Sequence, residues 1–377
     1  MQNRMIVYFV LALVLIYACS DNNGATGPGN GTEPEAGTYL GFTDFPHAKT
    51  HAAWIAAWSV IEQDGNMAVV HFDDGIPWQE ALDSTRYHEN YNAELSQKES
   101  FVPIGHITYL AVTPISFSRD SLAGYRGAEG NEPLMPPWDT LTFDSQDVET
   151  AFTNHCEYLI YTFYPKYFAY AIEANMLADL SPESWSTFVT LAEFVYTNLK
   201  SKFPTLPIFI TIQADCFHKD PGNQSAALGQ VLPFSDFIAV SGYPFTTQSN
   251  PESLAADYFF ELADLDPNKP FAIAETAWPA EDVTDPYYKF IPASDSTQLA
   301  YMDRLLSDAD SLDAEFICWF FTRDYDDFWE SDFKYMTDAG IYRLWRDTGV
   351  YDGQGNPRPA LARWRGALES TPLKRYR

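Results

Sequence analysis

The chain is 377 residues long and sets 23 Lys or Arg against 52 Asp or Glu, a formal charge of −29. Ten Trp, 23 Tyr and 27 Phe supply a large core and exclude a disordered chain, while so acidic a surface excludes duplex nucleic acid as a partner. The length accommodates one large domain or two ordinary ones.

Arg4 precedes an apolar run from Met5 to Ala18. That run is shorter than the ~20 residues a spanning helix needs, and its basic start and terminal small residue read as a secretory signal. Ile16-Tyr17-Ala18-Cys19 resembles the lipobox of bacterial lipoproteins, which implies cleavage after Ala18 and lipidation of Cys19. The alternative is a plain signal peptide with an incidental cysteine. Residues 19–37, rich in Gly, Asn and Pro, predict a flexible tether to a domain spanning 38–377. The expected location is the bacterial cell envelope, facing the periplasm or the cell surface, with the lipid as the only membrane anchor. Cys156, Cys216 and Cys318 remain, an odd number without a Cys-x-x-Cys pair, so free thiols are expected.

From Thr38 onward, short apolar runs alternate with helical patterns. Strands are predicted at Tyr39–Thr43, Met67–Phe72, Ile107–Val112, Phe168–Glu173, Pro207–Ile212, Asp236–Ser241, Phe271–Glu275 and Glu315–Phe320. Their nearly continuous apolar character is that of parallel strands buried on both faces. Helices are predicted from Asp144-Ser145 to just before Pro165, after the Ser181-Pro182 start signal, and over Pro251–Leu265 and Ser296–Leu312. Eight βα units in order predict a single (β/α)8 TIM barrel, with a doubly wound open sheet as the alternative. The long segment Thr113–Phe143 after the third strand reads as a lid or cleft wall.

Chemistry in such barrels sits at the carboxyl ends of the strands. There the fourth predicted strand ends in Glu173 and the seventh in Glu275, each closing an apolar run. Two carboxyl groups facing each other across the mouth supply the acid and the nucleophile that cleavage of a glycosidic bond requires. Glutamates so placed resemble the retaining clan A (4/7) glycoside hydrolases. Ser241-Gly242-Tyr243-Pro244 and Ala274-Glu275-Thr276-Ala277-Trp278 are similar to strand ends of the arabinogalactan endo-β-1,4-galactanase family. The resemblance, which spans Tyr39 to Arg365, implies Glu275 as nucleophile, Glu173 as acid/base and a β-linked glycan as substrate. One departure stands out: Ile172 occupies the position where the clan usually has an Asn that binds the sugar 2-hydroxyl, and Asn175 follows instead.

Tyr243 is expected to donate a hydrogen bond to Glu275. Trp319, Trp278 and Trp78 are the candidate stacking platforms for pyranose rings, Trp319 first among them. Asp44, His71, Asp73, Gln213 and Asp215 are placed at strand ends to bind hydroxyls, with His218 and Arg323-Asp324 as extras. Metal-hydrolase, serine-elbow and phosphate-loop motifs are absent from the sequence, so no cofactor or metal is expected. The expected protein is a monomeric, lipid-anchored glycoside hydrolase with a carbohydrate substrate. Its rivals are a non-catalytic glycan-binding barrel of a polysaccharide-utilisation system and a barrel hydrolase of another class.

Overall fold

The computed structural model describes residues 37–128, 130–285, 289–336 and 339–370. The expected signal peptide, Cys19 and all but the last residue of the tether lie outside the described residues. Eight parallel strands close into a barrel: β1 (Tyr39–Thr43), β2 (Met67–Phe72), β3 (Ile107–Val112), β4 (Tyr167–Ala171), β5 (Ile208–Gln213), β6 (Ile238–Gly242), β7 (Phe271–Thr276) and β8 (Phe316–Trp319). Each pairs with its successor, and β8 returns to β1. The open-sheet alternative is thereby overturned.

The strands are buried throughout except at Gln213, because each is covered on two sides. Tyr39, Met67, Val69, Tyr109, Tyr167, Phe209 and Phe316 fill the barrel axis, while their neighbours Leu40, Phe42, Val70, Leu110, Phe168 and Ile210 pack outward against the helices. The rings of Tyr109 and Tyr167 each lie 4.8 Å from that of Phe316. The axis is therefore plugged with side chains, and a substrate can reach only the mouth.

Helices follow at His51–Asp64, Glu89–Phe101, Gln146–Phe163, Pro182–Lys202, Pro221–Val231, Asp295–Ser311 and Pro359–Ser370, among other shorter ones. Trp364, on the last of them, donates its indole N–H to the Asp64 carbonyl at the end of the first (2.8 Å), which ties the two ends of the ring. The helix expected over Pro251–Leu265 is not formed; only a turn at Pro251–Ser253 and a short helix at Phe260–Ala263 are present. The carbonyls that would propagate it are taken elsewhere, since Arg304 Nη2 donates to the Ala255 and Ala256 oxygens at 2.8 and 2.9 Å. Two further segments decorate the mouth side. The 113–143 insertion holds a small ribbon, Tyr125–Arg126 against Asn131–Glu132, and the chain after β7 forms an antiparallel hairpin, Glu281–Asp285 with Lys289–Ser294, that the sequence did not announce. Cys156, Cys216 and Cys318 are free.

Candidate active site

A defect in pairing puts Glu275 where it is. Val240 pairs with Ile273 and Ser241 with Glu275, and on the other flank Ile317 pairs with Ile273 and Trp319 with Thr276. Seen from both neighbours, β7 carries one extra residue at Ala274–Glu275, a bulge of the kind that re-aims side chains. Ala272 and Ala274 face the axis, so strict alternation would send Glu275 out toward the helices. The extra residue turns it inward. Thr276 takes the outward place, where its hydroxyl bonds the Gly242 carbonyl at 2.7 Å and the Tyr301 hydroxyl.

Glu275 is 4% exposed, and each of its oxygens has a partner. Tyr243 OH donates to Oε2 at 2.8 Å, and His71 Nε2, from the end of β2, meets Oε1 at 3.1 Å. Burial and the charges of Glu275 and Glu173 push the Tyr243 phenol well above its ordinary range, so it stays a donor. Burial alone would depress the His71 imidazole, but the hydrogen bond to Glu275 and that carboxyl's charge outweigh it, and the pKa is raised. Tyr243 is itself held from behind. Its backbone N–H donates to Asp215 Oδ2 at 3.1 Å, and Asp215 Oδ1 accepts from Tyr258 OH at 3.0 Å.

Glu173 reaches the mouth differently. β4 stops at Ala171, two residues short of the expected end, after a register shift against β5 between Ala169 and Ala171. Glu173 then adopts a left-handed backbone, φ 50°. Its N–H is caught by the Thr211 hydroxyl at 2.8 Å, and the next N–H by the Thr211 carbonyl at 3.0 Å. Its carboxyl Oε2 accepts from Arg119 Nε and Nη2, both at 3.2 Å. Burial raises the Glu173 pKa to about 7, helped by the charges of Glu275 and Asp73, and Arg119 opposes the rise without cancelling it.

The expected platforms are corrected by the structure. Trp78, Trp278 and Trp319 are all fully buried. Trp319 donates its indole N–H to the Thr348 carbonyl (2.9 Å), Trp78 donates to the Ala123 carbonyl (3.0 Å) and Trp278 stacks on Tyr301 with ring centroids 5.0 Å apart. The reason lies in the alternation of β8: Phe316 and Cys318 face the axis, so Ile317 and Trp319 face the helices and join the outer core. The aromatic surface at the mouth belongs to half-buried Phe320, Phe45 and Trp345. Phe320 stands edge-on to His71 (5.3 Å) and to Tyr243 (6.1 Å), and it packs on Phe45 at 5.5 Å.

Most of the polar candidates serve the frame. Asn175 is fully buried; it donates to the Gln213 carbonyl (3.1 Å) and Gln224 Oε1 (2.7 Å) and accepts from the Gln213 N–H (2.7 Å), so it does not stand in for the missing Asn. Asp44 accepts from Trp54 Nε1 (3.2 Å) and Lys98 Nζ, and Gln213 caps the short helix Ala214–Lys219. Asp73 is engaged by Arg119. Arg119, inside the 113–143 insertion, is a site residue that the sequence does not mark: its partners lie 46 and 54 positions away, and no local pattern points to it. His218 bonds the Tyr258 carbonyl (2.9 Å), and Asp324 accepts from Arg358 and the Gly349 N–H. Glu281, Asp324 and Asp347 lie close enough to hold a cation, but Arg358, Arg343 and Arg346 already pair with them. A cavity of about 490 Å³ lined by His106, Ile107, Tyr164 and Lys166 opens at the amino ends of β3 and β4 and shares no residue with this site.

The chain matches no protein-family model and no curated protein at the level of sequence. Solved structures do resemble it. An exo-β-1,4-mannosidase of Opitutaceae bacterium strain TAV5 aligns over 89% of this chain with TM-score 0.61 and 13% identity. The GH5_18 protein of Streptomyces cattleya, solved in complex with GlcNAc, aligns over 89% of this chain and 80% of its own, with TM-score 0.60 and 14% identity. The Ignisphaera aggregans GH53 catalytic domain aligns over 82% and 87%, with TM-score 0.51 and 17% identity. The fold is the one they share. This chain spans 60% of the length of the mannosidase.

Proposed function

We propose that the protein is a retaining O-glycoside hydrolase acting on a β-linked polysaccharide or oligosaccharide, with Glu275 as nucleophile and Glu173 as general acid/base. The observation that carries this reading is the unequal setting of two carboxyl groups at one barrel mouth. Glu275 is met by two donors, which suits a group that must carry negative charge. Glu173 is raised to about 7 and so can hold a proton near neutrality. In the first step a Glu275 oxygen bonds the anomeric carbon while the bond to the leaving oxygen breaks and Glu173 gives that oxygen its proton. In the second, Glu173, now a carboxylate, takes a proton from water, whose oxygen bonds the anomeric carbon and releases Glu275. Phe320, Phe45 and Trp345 offer flat apolar surfaces beside these groups for the C–H faces of a sugar.

The galactanase-like strand ends make an endo-β-1,4-galactanase the first substrate class to try. The lipobox-like Ile16–Cys19 supports an exported enzyme tethered to the cell envelope. The test is a panel of aryl glycosides and plant polysaccharides, run with the wild type, Glu275→Ala and Glu173→Ala. Both variants should lose turnover, and azide should rescue Glu275→Ala with an inverted glycosyl azide as product. Unchanged turnover in either variant removes that residue from the mechanism.

A further inference from the structure

Arg119 enters the mouth from the insertion after β3 and joins two acids that come from different strands. Its Nη1 and Nη2 donate to Asp73 Oδ1 and Oδ2 at 3.0 and 2.8 Å, a two-pronged match of planar guanidinium to carboxylate. Its Nε and Nη2 face Glu173 Oε2, both at 3.2 Å, and Nη1 also donates to the Ser116 carbonyl at 3.2 Å. Only Oε2 of Glu173 is engaged among the hydrogen bonds of the described residues, and the carboxyl keeps 13% of its side-chain surface open. Both ends of this ion pair stand in the left-handed backbone region, Arg119 at φ 60° and Glu173 at φ 50°. Non-glycine residues adopt that conformation at a cost, and such residues gather where geometry serves function.

We propose that Arg119, itself clamped by Asp73, is a positioning residue for Glu173: it fixes Oε2 and turns Oε1 toward the oxygen of the departing group. This rests on the reading of Glu173 as the acid/base. A lone arginine would favour the ionised carboxyl and spoil it as a proton donor. Asp73 offsets that charge, so the clamp orients the carboxyl without stripping its proton. The other ionisable groups that act on this corner are Glu275 of β7, Tyr243 after β6, Cys216 after β5 and His71 of β2, the last on Asp73 and Arg119 directly as well as through Glu275. The two halves of the clamp have opposite signs on Glu173: removing Arg119 raises its pKa, and removing the Asp73 charge lowers it.

The experiment titrates Glu173 by NMR in the full chain carrying ¹³C-carboxyl glutamate, with Glu173→Gln to assign the signal, in the wild type, Arg119→Gln and Asp73→Asn. The same proteins are assayed across pH on a glycosyl fluoride, which departs without protonation, and on an alkyl glycoside, which does not. Arg119→Gln should move both the titration and the basic limb of kcat/KM up by about one pH unit, and Asp73→Asn should move them down. The kcat of Arg119→Gln should fall at least about tenfold on the alkyl glycoside and far less on the fluoride. Arg119→Lys, which keeps the charge and loses the fork, should restore the limb but not that kcat. A Glu173 titration unmoved in both variants, or equal losses on both substrates with fixed limbs, overturns the proposal. A wild type that titrates as described, with opposite shifts in the two variants, yet cleaves no glycoside would sink the hydrolase reading and leave the clamp standing.

Discussion

Glu173 makes a prediction about stability as well as turnover. Folding moves this carboxyl from an ordinary value of 4.5 to about 7, so the folded chain holds the proton where the unfolded chain has released it. Stability therefore falls as pH rises from about 4.5 to about 7, and above that the full penalty remains. The gap between the two values, at about 1.4 kcal/mol per pH unit, amounts to roughly 3 kcal/mol. Glu173→Gln keeps the shape and the Arg119 acceptor but cannot ionise. It should raise unfolding free energy in a urea titration by up to about 3 kcal/mol at pH 8 and by less than about 1 kcal/mol at pH 4.5, while abolishing turnover of substrates that need acid assistance. An increment equal at the two pH values, or a variant less stable than wild type at pH 8, would refute the claim that burial of an ionising carboxyl sets this site.

In the wild type, kcat/KM on a glycoside with a poor leaving group should decline as pH rises through about 7, because Glu173 then loses the proton it must donate. Tyr243→Phe removes a charge-assisted hydrogen bond from Glu275 and should lower kcat by about 10- to 100-fold, from the ~1.5–3 kcal/mol such bonds contribute. Trp319→Ala should cost about 3–5 kcal/mol of stability as a buried residue, whereas Phe320→Ala should chiefly raise KM; paired denaturation and kinetic measurements separate the two. Cys19→Ala should shift the protein from the membrane fraction to the soluble fraction of cells, as read by immunoblot.

The barrel was legible in the sequence because strands covered on both faces must be apolar at nearly every position. Tyr39–Thr43, Met67–Phe72 and Ile107–Val112 begin and end where those apolar runs do. The two glutamates stood out for the same reason, as charges at the ends of such runs. Which way a strand-end side chain points is a different matter, since one inserted residue reverses it. The β7 bulge sends Glu275 inward, while unbroken alternation on β8 leaves Trp319 in the outer core, so the aromatic surface falls to Phe320 one position later. Sequence spacing does not record that slip, because bulges are set by how neighbouring strands pair. Nor could local pattern join Arg119 to Asp73 and Glu173, which meet only when β2, β3 and β4 pair side by side and bring their ends to one rim. Composition and periodicity determined the architecture and the acids; register and ring closure decided which groups face one another.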